Sequence, residues 1–203
     1  MHKSLGLIAL LFALLHLAPA RAAPVLSLQP AGASTIGVGG SIDYELWLMN
    51  PESAVGAFSV DLAFDAAVLQ FRPAATPGAQ FGPWLGDADL LEAIGTASVF
   101  SPGLLHIDEV SLLDTITLEA LQAVGAAAGH LVLAHLGFDG IGPGLGGLAF
   151  VADSLQFADA AGTAQTLPGL ASPGPLQVIP EPASAALVLL ALAAAVGSRR
   201  RRA

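Results

Sequence analysis

Three histidines, His106, His130 and His135, are the obvious starting points for chemistry between residues 23 and 179. His130 and His135 are five positions apart. On a regular strand that spacing sends them to opposite faces, which spoils joint chelation of a metal ion. The acidic run Asp87-Ala88-Asp89 with Glu92 has charge enough for calcium. It lacks the glycine and the alternating oxygen ligands of a loop site, so a solvated acidic turn is expected there. Asp108, Glu109 and Asp114 read likewise as surface charge between strands. Glycoside hydrolysis needs two positioned carboxylates, but with fifteen acids in this stretch some pair always lies close, and proximity alone proves nothing. The glycines from Gly137 to Gly147 precede no Gly-Lys-Ser/Thr and no helix pattern, so they form no phosphate cradle. Ser53 and Ser101 lack the glycine-flanked context of a nucleophile elbow. The chain has no cysteine, which excludes thiolate nucleophiles, thiolate metal sites and disulfides. The expectation is a protein that is not an enzyme, with no catalytic residue, no metal ligand and no cofactor, calcium being the one ion its acids would tolerate.

What remains is surface. Trp47 and Trp84 are the largest apolar groups that no pattern assigns clearly inward, and they are the candidate binding surface. Fifteen carboxylates stand against Arg72 as the sole cation between residues 23 and 179, a formal charge of −14. Such a body repels phosphate backbones, so nucleic acid is excluded as a partner.

The elements that position these residues read as strands. Ile42, Tyr44, Leu46 and Leu48 share one face while Asp43, Glu45 and Trp47 point the other way. After the turn pair Asn50-Pro51 the alternation restarts with Phe58, Val60, Leu62 and Phe64. Further strands are expected at 25–28, 68–72, 98–100, 104–110, 130–138, 148–151, 154–157 and 176–179, separated by Gly/Pro turns. One short helix is expected at 117–124, capped by Thr117 and striped by Leu118, Leu121 and Val124. About ten short strands with frequent turns predict an all-β antiparallel sandwich, because a parallel sheet would demand long crossover helices. The domain is placed at 23–167. A Pro/Gly linker at 168–179 follows, with room for a last strand at its end.

Both ends carry addresses. Residues 1–22 read as a secretory signal peptide: Lys3, then an apolar stretch of 13 residues at 5–17, then Ala18-Pro19-Ala20 and Ala20-Arg21-Ala22, both of the small-x-small form that signal peptidase accepts. Cleavage after Ala22 is favoured over Ala20, since it keeps Pro24 away from the scissile bond. At the other end a run of 14 residues from Ala183 to Val196, apolar but for Ser184, precedes Arg199, Arg200, Arg201 and Arg202. A transmembrane helix over 183–198 would reach about 24 Å, short of the roughly 30 Å hydrocarbon core. The four arginines would cost on the order of 10 kcal/mol to translocate, so they act as a stop-transfer and hold the domain outside the inner membrane.

Two resemblances sharpen this reading. The tail 180–203, with Pro180-Glu181-Pro182, a short apolar helix and a terminal arginine cluster, resembles the PEP-CTERM sorting signal of Gram-negative bacteria. That resemblance implies recognition by an exosortase-type membrane transpeptidase, removal of the tail, and delivery to the cell surface or an exopolysaccharide matrix. The run Val25-Leu26-Ser27-Leu28, then Ile36-Gly37-Val38-Gly39-Gly40-Ser41, then the stretch from Gly56 to Phe71, resembles the opening of cohesin domains. The stretch from Leu131 to Phe138, the glycine loop and the stretch from Asp153 to Gly162 fit the second half of that pattern. This resemblance implies a nine-stranded jelly-roll β-sandwich used for protein–protein binding in extracellular assemblies. Cohesins proper bind dockerins, and nothing in this chain marks a dockerin-specific surface. Adhesion or scaffolding in the envelope is the expected work, through an extracellular protein or polysaccharide; the alternative is a carbohydrate-binding module that holds matrix polysaccharide directly.

Overall fold

A computed structural model describes residues 22–73, 79–165 and 169–180. In chain order its strands are β1 Val25–Pro30, β2 Thr35–Gly37, β3 Ser41–Met49, β4 Val55–Phe64, β5 Leu69–Arg72, β6 Ala79–Phe81, β7 Ala93–Ser101 and β8 Leu104–Ser111. After the helix α1, Thr115–Ala126, come β9 His130–Gly140, β10 Gly144–Gly146, β11 Leu148–Phe150, β12 Gln156–Asp159, β13 Ala164–Gln165, β14 Gly169–Ala171 and β15 Leu176–Ile179. Two sheets face each other: one in the order β14-β1-β3-β9-β5 with β6 also on β9, the other in the order β13-β12-β4-β8-β7 with β11 also on β4. A third small sheet, β10-β15-β2, closes one end. The β-sandwich is therefore as expected. The strand segments outnumber the nine implied because nine of the fifteen are only two to four residues long.

Alternation builds the core. The even-numbered residues of β3, Ile42 to Leu48, are buried and meet Val60 and Leu62 of β4 and Leu105 and Ile107 of β8. Phe138 of β9 is the aromatic centre, edge-on to Tyr44, Phe64 and Phe71 at 6.1, 5.5 and 5.6 Å between ring centroids. Each such side chain contributes about 1.5–3 kcal/mol by leaving water.

Two expectations change. The helix is longer than 117–124, and its cap is Asp114 rather than Thr117. The Asp114 carboxylate accepts the N–H groups of Ile116 and Thr117 at 3.0 and 3.1 Å, while the Thr117 hydroxyl donates to it at 2.7 Å. One carboxylate oxygen thus satisfies two orphan amides at the helix start while the other accepts the Thr117 hydroxyl. The buried stripe is Leu118, Gln122 and Gly125, and Val124 faces solvent. Beyond residue 168, β14 runs parallel to β1, and β15, the last strand expected at 176–179, lies between β10 and β2 with Leu176 and Val178 buried. Ala22 and Pro180 are the last described residues at either end. Ala20, Glu181, Pro182, the apolar run 183–198 and Arg199 to Arg202 lie outside the described residues. Among the described residues no helix is long and apolar enough to cross a membrane.

Candidate functional site

The outer face of the first sheet gathers Trp47 and two histidines, which strict alternation would have separated. Leu46 pairs with Ala134 but Trp47 pairs with Val132, so β9 has one extra residue there. Leu133 and Ala134 both point into the core, and this β-bulge puts His130 and His135 on the same outer face. The expected opposite placement is therefore overturned. The Trp47 indole stacks on the His130 ring at 4.1 Å and 9°, and its N–H donates to Glu45 Oε2 at 2.8 Å. The other Glu45 oxygen lies 3.4 Å from His135 Nδ1. Farther along, Arg72 bonds to Asp43 and reaches Asp139 at 3.2 Å. Its guanidinium lies over Gly137, where a Cβ would come within 2.6 Å of it. Among the described residues no three His, Asp or Glu side chains are close enough to share a metal ion.

Trp84 lies elsewhere. It packs against the core beneath α1, where a Cβ on Gly125 would strike both its ring and the inward side chain of Leu131. The two tryptophans thus sit on opposite sides of the first sheet and form no common surface. Ser53 pairs with Gln165 at 2.9–3.2 Å and Ser101 ends β7, so neither serine meets a base.

The outer face of the second sheet has a different chemistry. His106 on β8 is held between Asp61 of β4 at 2.6 Å and Asp108 at 3.4 Å, and the Thr96 hydroxyl of β7 donates to the same Asp108 oxygen. Both ring nitrogens face carboxylates, which leaves none free to activate a nucleophile. Around this polar row Ala57, Ser59 and Ala158 keep the side chains short, and with Gln156 they line a shallow trough of about 470 Å³. Ile94 and Val110 are exposed at one end of the polar row, at 53% and 41%, and Phe100, at 79%, is exposed at the other.

Glu109, expected as surface charge, faces inward. In β8 the residues Leu105, Ile107 and Glu109 share the inward face, and Glu109 is only 2% exposed. Burial pushes its carboxyl up to about 8, and its Oε2 has no hydrogen-bond partner among the described residues. The alternation that puts Leu105 and Ile107 inside already predicts this. The Asp87 run is a polar turn as expected: Asp87 accepts the Asp89 N–H at 2.8 Å, and Glu92 accepts the Asp87 N–H at 3.1 Å.

Neither a family model nor a curated protein sequence matches the chain. Solved structures do. CaCohA2 from Clostridium acetobutylicum superposes with a TM-score of 0.55 at 17% identity, over 78% of this chain and 92% of that one. The cohesin module of a family 33 glycoside hydrolase from Clostridium perfringens gives 0.52 at 12%, over 77% and 98%. A type III cohesin module of the cell-surface anchoring scaffoldin ScaE from Ruminococcus flavefaciens gives 0.50 at 15%, over 77% and 88%. The domain has the cohesin fold. Identities this low speak for the fold, and the geometry above must argue the rest.

Proposed function

We propose that this cohesin-like domain is a non-enzymatic protein-binding module, exported and sorted by its tail to work as scaffold or adhesin in the envelope or exopolysaccharide matrix. The carrying observation is the outer face of β12-β4-β8-β7. It is broad, it has short side chains along its middle, and it exposes Ile94, Phe100 and Val110 around a polar row. Short residues let a partner approach the sheet closely, exposed apolar groups supply contact area, and Asp61, His106 and Asp108 set register through hydrogen bonds. A stable complex needs roughly 800 Å² per partner, which a four-stranded face can offer. One structural neighbour is named a module of a cell-surface anchoring scaffoldin, which agrees with a scaffolding reading. The partner is taken to be an extracellular protein of unspecified family, and dockerin binding is not carried over.

The test is affinity capture from secreted proteins of the host with the wild type beside Ala57→Arg, which plants a long cation in the trough. A stoichiometric partner retained by the wild type and lost by the variant is the expected result; equal retention refutes the face. Export and exosortase processing rest on sequence, namely the apolar N-terminal segment and the Pro180-Glu181-Pro182 tail. Expression with and without residues 180–203 should shift both location and mass, and unchanged fractionation would refute sorting.

The second reading, a carbohydrate-binding module, draws on Trp47. Its indole already gives one ring face to His130 and its N–H to Glu45, which reduces what a sugar ring can use. Protein binding is favoured for that reason.

A further inference from the structure

A cleft of about 750 Å³ opens between the Asp87–Glu92 turn, β6 and α1. Phe81, Pro83 and Leu121 give it an apolar wall, and Asp87 and Glu92 line it on the turn side. Glu109 lines it too, with a carboxylate oxygen that is buried and unpartnered among the described residues. A buried carboxylate without a partner is costly and requires an explanation. The domain's own sequence cannot supply the missing charge. Arg72 is the sole cation between residues 23 and 179, and it is bound to Asp43 and Asp139 on the outer face of the other sheet. The domain therefore holds no cation of its own to pair with Glu109 once that carboxyl ionises.

The lining selects what kind of cation. A bare divalent ion wants six or more oxygens, yet no three acidic or histidine side chains among the described residues converge to hold one. A carboxylate beside aromatic and aliphatic walls suits a positive head on an apolar stem. We propose that this cleft binds an organic cation, an alkylammonium or guanidinium group whose head pairs with Glu109 and whose stem lies along Phe81, Pro83 and Leu121. Glu109 also borders the trough of the outer face, but Phe81, Pro83, Leu121 and the Asp87–Glu92 turn do not, so the proposal does not depend on that reading.

The titratable groups facing Glu109 across the cleft are Asp87, Asp89 and Glu92 on the turn. Its cross-strand neighbours Phe58 and Gly95 are uncharged, β6 contributes Gln80 and Phe81, and the single charge of α1, Glu119, lines a different pocket. With its carboxyl pushed up to about 8, Glu109 is protonated at neutral pH when the cleft is empty. The incoming cation displaces that proton to solvent, leaving a carboxylate paired with ammonium or guanidinium. Affinity therefore rises about tenfold per pH unit below 8 and levels off above it.

Isothermal titration of the full chain with butylammonium and butylguanidinium tests this, with butanol as the uncharged control and calcium chloride as the rival ion. The expected result is saturable binding of both organic cations, none of butanol, and release of about one proton at pH 6.5, read from buffers of different ionisation enthalpy. Glu109→Gln should abolish the proton release and weaken binding at least tenfold. Should that variant fail to fold, the Glu109 side-chain carboxyl carbon of the wild type, followed by NMR, should still move to its ionised position as butylammonium is added. A blocked Gly-Lys-Gly peptide that binds tighter than butylammonium assigns the cation to a partner's lysine, and a weaker one assigns it to a free amine. Equal binding of butanol, a stationary Glu109 carbon signal, or calcium alone filling the cleft and excluding the amine overturns the proposal.

Discussion

Gln122 does more for this fold than its place on a polar-looking helix suggests. Its amide accepts the Val55 N–H at 2.8 Å and donates to the carbonyls of Val55 and Trp84 at 2.7 and 2.9 Å. It thereby ties α1 to the start of β4 and to the loop before β7, and it is 3% exposed. Gln122→Ala leaves three buried backbone groups without partners, so a loss of about 3 kcal/mol is expected in urea unfolding at unchanged m-value. Single residues of this kind were poorly legible beforehand. A glutamine in a helix carries no mark of burial when the helix stripe has been drawn through Leu121 and Val124. Asp114 is legible in principle, since an acid just before a helical stripe is an ordinary cap, although its type alone suggests loose surface charge. Glu109 is legible too, because its parity in β8 matches Leu105 and Ile107, although its charge points the other way.

Among the elements, the long alternating strands were the ones that composition could reveal. β3 and β4 carry four apolar residues each at period two; burial follows it throughout β3 and from Phe58 to Leu62 in β4. The three-residue pieces β2, β6, β10 and β14 were beyond reach as independent strands, because a period of two has no statistical weight over three positions. The β9 bulge was hidden for a different reason: Leu133 and Ala134 are both apolar, so nothing in their types says that both point inward. One element carries a liability. β7 is a nine-residue strand, Ala93–Ser101, without a charged side chain, and in its sheet it pairs with β8 alone. A long uncharged edge recruits other strands. Ser98→Lys, at an exposed position of β7, should slow thioflavin-positive aggregation on mild heating by several-fold while changing unfolding stability by less than about 0.5 kcal/mol. An unchanged aggregation rate would mean that the edge is not where copies meet.

At the scale of the whole domain, charge decides how stability follows pH, and two sets of carboxyls pull in opposite directions. Asp114 is held below the usual carboxylate range by the Thr117 hydroxyl and the N–H groups of Thr117 and Ile116. Asp159 is held there by the N–H groups of Thr163 and Ala161. A lowered folded-state value means that the unfolded chain binds protons first, so what these caps contribute is present above the ordinary range and is lost as pH falls through it. Glu109 has the opposite sign. With a folded-state value of about 8, it keeps its proton where the unfolded chain has already released it, so stability falls as pH rises from about 4.5 to 8. The slope is at most about 1.4 kcal/mol per pH unit, which for a domain of this size lowers Tm by roughly 3 to 5 °C per unit. Repulsion within a body of fifteen carboxylates and one arginine pushes the same way above pH 5, but it is screened by salt and the Glu109 contribution, being buried, is not. Thermal melts from pH 5 to 8 in about 0.5 M sodium chloride should therefore keep most of the decline in the wild type and lose it in Glu109→Gln, whose amide does not titrate. A decline that vanishes in salt for both proteins would assign it to surface repulsion and remove Glu109 from the account.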